Sequence, residues 1–294
     1  MSKSLKLLIL LGFIWGFLFS LAKWVMTNHV HPLSYALWQA AGPLFLLLPF
    51  VAKNFHIKAI LTSWRFFLFT GIFGVVIPNV NMYFCAPHLA AGTLGIIVNM
   101  TPLIVYPLAI LARQEVFKGL RLFGVMIGIA GLLLVLLPSF SFQTFSLSPW
   151  LFLAFLTPLS LALCTVFIAK FFPKNCNPIT LTIGMLSVAA LVLAVLVTAT
   201  HHVYLLTFPL TPIDWIILAS IILTATAYII LFELIKRAGP VFYSFTSCVV
   251  VLTSLFWGRL IFNEKITSWT FLGLILIIYA ISLVNRTQNK ESID

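Results

Sequence analysis

Ten stretches of this chain run for about twenty residues almost without a charge, the length an α-helix needs to cross the hydrocarbon core of a bilayer. They are Leu5–Thr27, Leu33–Ala52, Phe66–Phe84, Ala90–Leu111, Leu120–Pro138, Trp150–Phe171, Ile179–Thr200, Ile213–Ile235, Val241–Phe262 and Trp269–Val284. The runs are continuous, with neither the alternation nor the turn spacing of barrel strands, so helices are expected. Composition agrees. Of 294 residues, 62% are apolar and 8% charged, and 17 Lys and Arg with 6 Asp and Glu cannot clothe a water-soluble surface of this size. A cytosolic enzyme, a disordered scaffold and a nucleic-acid-binding module are all disfavoured. The expected fold is an all-α polytopic membrane protein of ten transmembrane helices with short connections.

The basic residues set the expected orientation. With the N-terminus in the cytoplasm, internal segments hold 14 of the 17, from Lys3 and Lys6 to Arg286 and Lys290. The outside keeps Arg259 and Lys265, and Lys23 lies inside the first run. Positive charge therefore places both termini in the cytoplasm, as for a multi-pass protein of the cytoplasmic (inner) membrane. Spread over several segments, these residues form no nucleic-acid stripe, and no nucleic-acid partner is expected; membrane lipid is. Lys3, Lys6 and Ser20-Leu21-Ala22 resemble a signal peptide, but the apolar run between them is long for one. The four cysteines, Cys85, Cys164, Cys176 and Cys248, form no Cys-x-x-Cys pair and read as small apolar packing residues.

The two halves of the chain repeat each other. Glu115 and Glu264 lie 149 residues apart, and each is followed nine residues later by a glycine, Gly124 or Gly273. Gly131 and Ala280 then correspond, as do Val135 and Val284. Upstream, Ala91-Gly92 matches Ala238-Gly239. Ala22-Lys23 before His31-Pro32 matches Ala169-Lys170 before Asn177-Pro178. We read residues 1–140 and 149–286 as five-helix repeats and 287–294 as a short cytoplasmic tail. Five is odd, so the second repeat enters the membrane from the opposite side. Inverted repeats are typical of secondary transporters, in which two similar units supply one conformation open to each side.

Ten helices in two such halves resemble the drug/metabolite transporter superfamily, and particular residues resemble its EamA-type branch. They are Ile14-Trp15-Gly16, Thr101-Pro102-Leu103, the glutamates of Gln114-Glu115 and Asn263-Glu264, and Arg237-Ala238-Gly239-Pro240. The second half has Val250-Val251 where the first has Thr-Pro, which predicts an unbroken ninth helix. The resemblance implies transport of amino acids, nucleobases or related metabolites, export being usual and import known.

Polar side chains inside the runs are the substrate-binding candidates, because each costs free energy in hydrocarbon unless it faces protein or water. Asn79 and Asn81 flank the turn after Pro78 and point about 200° apart in a regular helix. They satisfy backbone freed by the proline, or one of them binds substrate. Asn99, Thr101, Pro102 and Pro107 predict a kinked or discontinuous fourth helix. Trp15, at mid-span, is an aromatic platform or core packing; Trp38 and Gln39 are also well placed. Tyr228 is the preferred contact from the second half, whose other hydroxyls, Ser160 and Thr224 among them, read mostly as helix-to-helix glue.

Two charged residues are candidates for coupling or charge contact. Lys23 either snorkels to the interface or contacts a substrate anion from the cavity. Glu233 either carries a coupling proton or pairs with Lys236 or Arg237. Glu115 and Glu264 read as fold-specific pairs with neighbouring basic residues. All six histidines fall at span ends or in loops, and no convergent catalytic set is visible. No catalytic residue, metal or cofactor is expected. The expected function is a secondary transporter for a small-molecule metabolite, with proton coupling and a monomeric or homodimeric state left open. A lipid-like substrate, suited to 28 Phe and 8 Trp, is the alternative.

Overall fold

A computed structural model describes residues 3–51, 63–114, 117, 119–136, 148–171, 173, 178–244, 246–264 and 267–289. Among them every regular element is a helix, with no strand. The helices are α1 (Lys3–Thr27), α2 (Pro32–Val51), α3 (Trp64–Cys85), α4 (Ala91–Val98), α5 (Thr101–Leu111) and α6 (Gly119–Leu136). They continue with α7 (Pro149–Ala154), α8 (Leu156–Phe171), α9 (Pro178–Ala199), α10 (Pro212–Ser244), α11 (Thr246–Phe262) and α12 (Ser268–Asn289).

Among the described residues six segments are long and apolar enough to cross a membrane: Lys3–Thr27, Trp64–Cys85, Ala91–Leu111, Pro149–Ile168, Ile179–Ala199 and Pro212–Leu231. Shorter apolar helices cover Leu122–Gly131, Val249–Phe262 and Ser268–Ala280. Large apolar side chains such as Leu111, Phe123, Leu191 and Phe271 point outward, as suits a surface solvated by lipid tails. The chain is a multi-pass membrane protein.

Prolines explain where the helices deform. Proline lacks the N–H that would bond the carbonyl four residues back. Upstream of Pro78, α3 contains a π-helical turn at Ile72–Val76, and the Ser160 hydroxyl donates to the Phe73 carbonyl at 2.7 Å. Pro102 leaves the Val98 carbonyl free, and the helix expected over 90–111 breaks there into α4 and α5. The Thr101 hydroxyl takes over that carbonyl at 2.6 Å, and Asn99 donates to the Gly95 carbonyl at 2.7 Å. Pro158 sits just past the break between α7 and α8. By contrast α11 is unbroken from Thr246 to Phe262, as its missing Thr-Pro pair predicts. The loop expected after Ile235 is a correction: α10 runs on to Ser244, through Pro240.

The two halves interleave. From the first half α1 packs on α10 and α11, α2 on α9 and α10, α4 on α11, α5 on α8, and α6 on α12. Close approach depends on missing side chains. A Cβ on Gly131 would lie 2.8 Å from the Gly273 carbonyl oxygen, and one on Gly16 would overlap Thr253. The core between the halves includes Tyr35, Leu94, Ile96, Leu186, Leu193, Ile217 and Ile277.

Candidate functional site

Three helices each bring a polar pair or triplet at four-residue spacing to one place. Residues four apart share a helix face, so α2 presents Tyr35 and Gln39, α3 presents Asn79 and Tyr83, and α10 presents Ser220, Thr224 and Tyr228. Gln39 is 3% exposed. Its amide nitrogen donates to Ser220 Oγ at 2.6 Å and its Oε1 accepts from Thr224 Oγ1 at 2.6 Å. Tyr35 packs on Tyr83 with ring centroids 4.7 Å apart. Tyr228, one turn beyond Thr224 on α10, packs against the same core. The result is a buried ladder of uncharged hydroxyls and amides, with first-half helices on one side and α10 on the other.

Of the residues expected from sequence, Gln39 and Tyr228 lie in this ladder, and half-buried Asn79 shares the face of Tyr83. Trp15 sits beside it, wedged between the main core and a second cluster of Leu8, Leu11, Ile14, Ala227, Ile230 and Leu234. Trp38 packs on the core and donates from Nε1 to the Tyr204 carbonyl at 3.0 Å. Tyr35, Tyr83 and Ser220 were missed as candidates, and Thr224 was read as glue. Their four-residue spacing was the available signal.

The others lie elsewhere. Asn81 does not serve the backbone freed by Pro78, which corrects that reading. Its amide reaches across to α7 and α8, donating to the Leu153 carbonyl and to Thr157 Oγ1 at 2.8 Å each. Thr157 in turn donates to the Pro78 carbonyl at 3.3 Å. Asn81 also lines an apolar lateral cavity of about 290 Å³ with Val76, Val80, Phe84, Leu156 and Leu196. Asn99 and Thr101 occupy the break between α4 and α5.

Lys23 forms an ion pair with Glu264 at 2.7 Å. Glu264 is thus a pairing residue, with a lysine far away in sequence; its neighbour Lys265 lies outside the described residues. Glu233 is half-buried within α10, five residues beyond Tyr228. Glu115 and the side chains of Lys236 and Arg237 lie outside the described residues. Among the described residues no cluster of three metal-ligating side chains occurs.

Outside the spans, the loop between α9 and α10 is well tied down. Asp214 accepts from the hydroxyls of Tyr204 (2.7 Å), Thr207 (3.0 Å) and Thr211 (2.7 Å) and from the Thr211 N–H (2.9 Å). The Asp214 N–H returns a bond to Thr211 Oγ1 at 3.3 Å, a reciprocal cap with Pro212 in the first turn. His31 stacks on His202 with centroids 3.6 Å apart, and its Nδ1 accepts from the Leu33 N–H at 3.3 Å. Burial, and then the neighbouring His202, hold the His31 pKa below the usual histidine value.

Comparison with known proteins bears on the family and the fold. The model of the EamA-like transporter family matches twice, over residues 2–137 and 148–286. No curated protein sequence matches. One solved structure, described only as "Crystal structure of protein", shares the fold: it is 12% identical over 99% of both chains, with a TM-score of 0.66.

Proposed function

Because the chain belongs to the EamA-like transporter family, we propose that it is a secondary active transporter that moves a small metabolite across the cytoplasmic membrane by alternating access. Membership makes it a membrane transporter of the drug/metabolite type; substrate, direction and mechanism are our reading. In that reading all ten apolar runs cross the membrane, residues 1–140 and 149–286 act as inverted halves, and both termini, including the 287–294 tail, are cytoplasmic. No ATP-binding motif occurs in the sequence, so a gradient supplies the energy.

The observation that carries the proposal is the Gln39–Ser220–Thr224 contact within the ladder. Buried polar groups hold one another there, between helices of opposite halves. A solute entering would exchange those bonds for its own as the halves part, so ladder and solute compete for one set of donors and acceptors. The groups are neutral and flanked by tyrosine rings. They suit a neutral or zwitterionic solute with a flat or apolar part, such as an amino acid or nucleobase. Export is the direction we propose.

The test compares solute levels inside and outside cells expressing the wild-type chain or Gln39→Leu at matched membrane abundance. A solute that shifts outward with wild type alone supports export and names the substrate class. An inward shift makes the protein an importer. No shift for any amino acid or nucleobase would overturn the substrate assignment. A second reading, a lipid-like solute, is favoured by the apolar lateral cavity at Asn81 and would show as competition by lipid analogues.

A further inference from the structure

Where α1 ends, one carboxylate ties three segments together. Glu264 Oε1 accepts from Lys23 Nζ at 2.7 Å and from the Ala91 N–H at 2.8 Å, and Oε2 accepts from the Gly92 N–H at 3.3 Å. Glu264 thereby holds the last turn of α1, the first turn of α4 and the end of α11. The amides of Ala91 and Gly92 belong to the donors a helix start leaves free, and an acid there also meets the positive end of the helix dipole. Lys23 is further fixed 4.9 Å above the Phe262 ring, and the two charged side chains are only 16% and 13% exposed.

Two further observations bear on what this tie does. Below it, α1 meets α11 along a flat seam at Gly12 and Gly16, where Thr253 Oγ1 donates to the Gly12 carbonyl at 2.8 Å. A seam of small residues has few interlocking side chains to disengage when it parts. Lys170, which matches Lys23 in the repeat, is exposed and lies 5.7 Å from the Phe171 ring. The two matching lysines, one on each half, are therefore in different environments.

We propose that the contact of Lys23 and Glu264 with the start of α4 is the latch of a gate. Made, it closes the face on which α1 ends; broken, it lets that face open toward the polar ladder. This rests on the alternating-access reading, since a latch between halves has a function only if the halves part. Glu264 contributes both the charge for Lys23 and the cap for α4, so one side chain releases both first-half helices together.

Ser20 provides the reporter. It lies one turn deeper than Lys23, on the face of Gly12 and Gly16, and its buried hydroxyl has no partner among the described residues, so Ser20→Cys fits the site. The full chain carrying Ser20→Cys is treated in intact cells with a membrane-impermeant charged maleimide, and labelling of the parent chain is subtracted. The latch predicts slow labelling, a rise of about tenfold with Glu264→Gln or Lys23→Gln, and a change of under about twofold with Lys23→Arg. Should Glu264→Gln not reach the membrane, the two Lys23 variants carry the test. Equal labelling rates across all variants would overturn the latch. If transport persists and labelling ignores the pair, the latch alone fails. If labelling follows the pair but no solute moves, the latch stands and the transport reading fails.

Discussion

Gln39 accepts a 2.6 Å hydrogen bond from Thr224, a residue 185 positions later in the chain. Both side chains are buried, so removing the amide strands the Thr224 hydroxyl and takes one bond from Ser220, which keeps its own to the Ile217 carbonyl at 2.7 Å. Gln39→Leu should cost about 1–3 kcal/mol of stability, read as a lower thermal midpoint in detergent. Gln39→Glu keeps the shape and an acceptor, but places a charge among neutral groups. It should abolish transport of a neutral solute while leaving membrane abundance closer to wild type. Transport at wild-type rates in both variants would remove the ladder from the substrate path.

Asp214 is the organising centre of the 204–211 loop. Asp214→Ala removes the cap of α10 and the acceptor of three hydroxyls, and should destabilise the protein by about 1–2 kcal/mol. Asp214→Asn retains an acceptor and should recover part of this. Thermal midpoints of the two variants, with amide exchange in residues 204–211, provide the check. Unchanged exchange in Asp214→Ala would contradict the role.

Six of the expected runs stand among the described residues as segments long and apolar enough to cross a membrane, and they were legible because hydrocarbon makes its demand on each segment separately. Pro78 and Pro102 marked deformations for the same local reason, although a π turn at one and a break at the other depend on which hydroxyls are near. The ladder was legible only by halves. The four-residue spacing of Ser220, Thr224 and Tyr228 is visible in the chain, but nothing local says that this stripe meets Gln39. The partner of Lys23 was out of reach for the same reason, since Glu264 lies 241 residues away. The backbone reading of Asn81 rested on a proline three residues away, whereas the partners of its amide are supplied by packing on α7 and α8.

His31 makes the docking of the loop around His202 onto the start of α2 dependent on pH. Its pKa is lowered by burial and then by His202, so the folded state disfavours the proton. That contribution is present in full above the unfolded value of about 6.5 and is lost as pH falls toward the lowered folded value. Protonation at Nδ1 also breaks the bond from the Leu33 N–H. Amide-exchange protection near residues 33–35 and 203–206 should fall between pH 7.5 and pH 5 in wild type. The fall should be smaller in His31→Gln; an equal fall in both would refute the assignment.

Glu233, half-buried on α10 beyond Tyr228, is our proposed proton carrier. Glu233→Gln should uncouple transport from an imposed pH gradient while exchange of solute down its own gradient continues. Flux that still follows the pH gradient in this variant would assign coupling elsewhere.

The break between α4 and α5 separates contacts to different partners. Its first part packs on α1 and α11, beside Glu264, while its second packs on α8. In the proposed alternating-access cycle, parting α1 from α11 on one face requires α4 and α5 to change their mutual angle. Thr101 and Pro102 make that change inexpensive, because the Val98 carbonyl is bonded by a side chain and not by the ladder of the helix. Pro102→Ala restores the backbone donor and should favour one continuous helix. The protein should become more stable, by up to about 1 kcal/mol, and slower in transport. Thr101→Val in the wild-type background removes the substitute donor and should lower stability instead. Opposite signs in thermal midpoint, with loss of flux in Pro102→Ala, would identify the break as a working hinge. Faster flux in Pro102→Ala would show that the break does not limit the cycle.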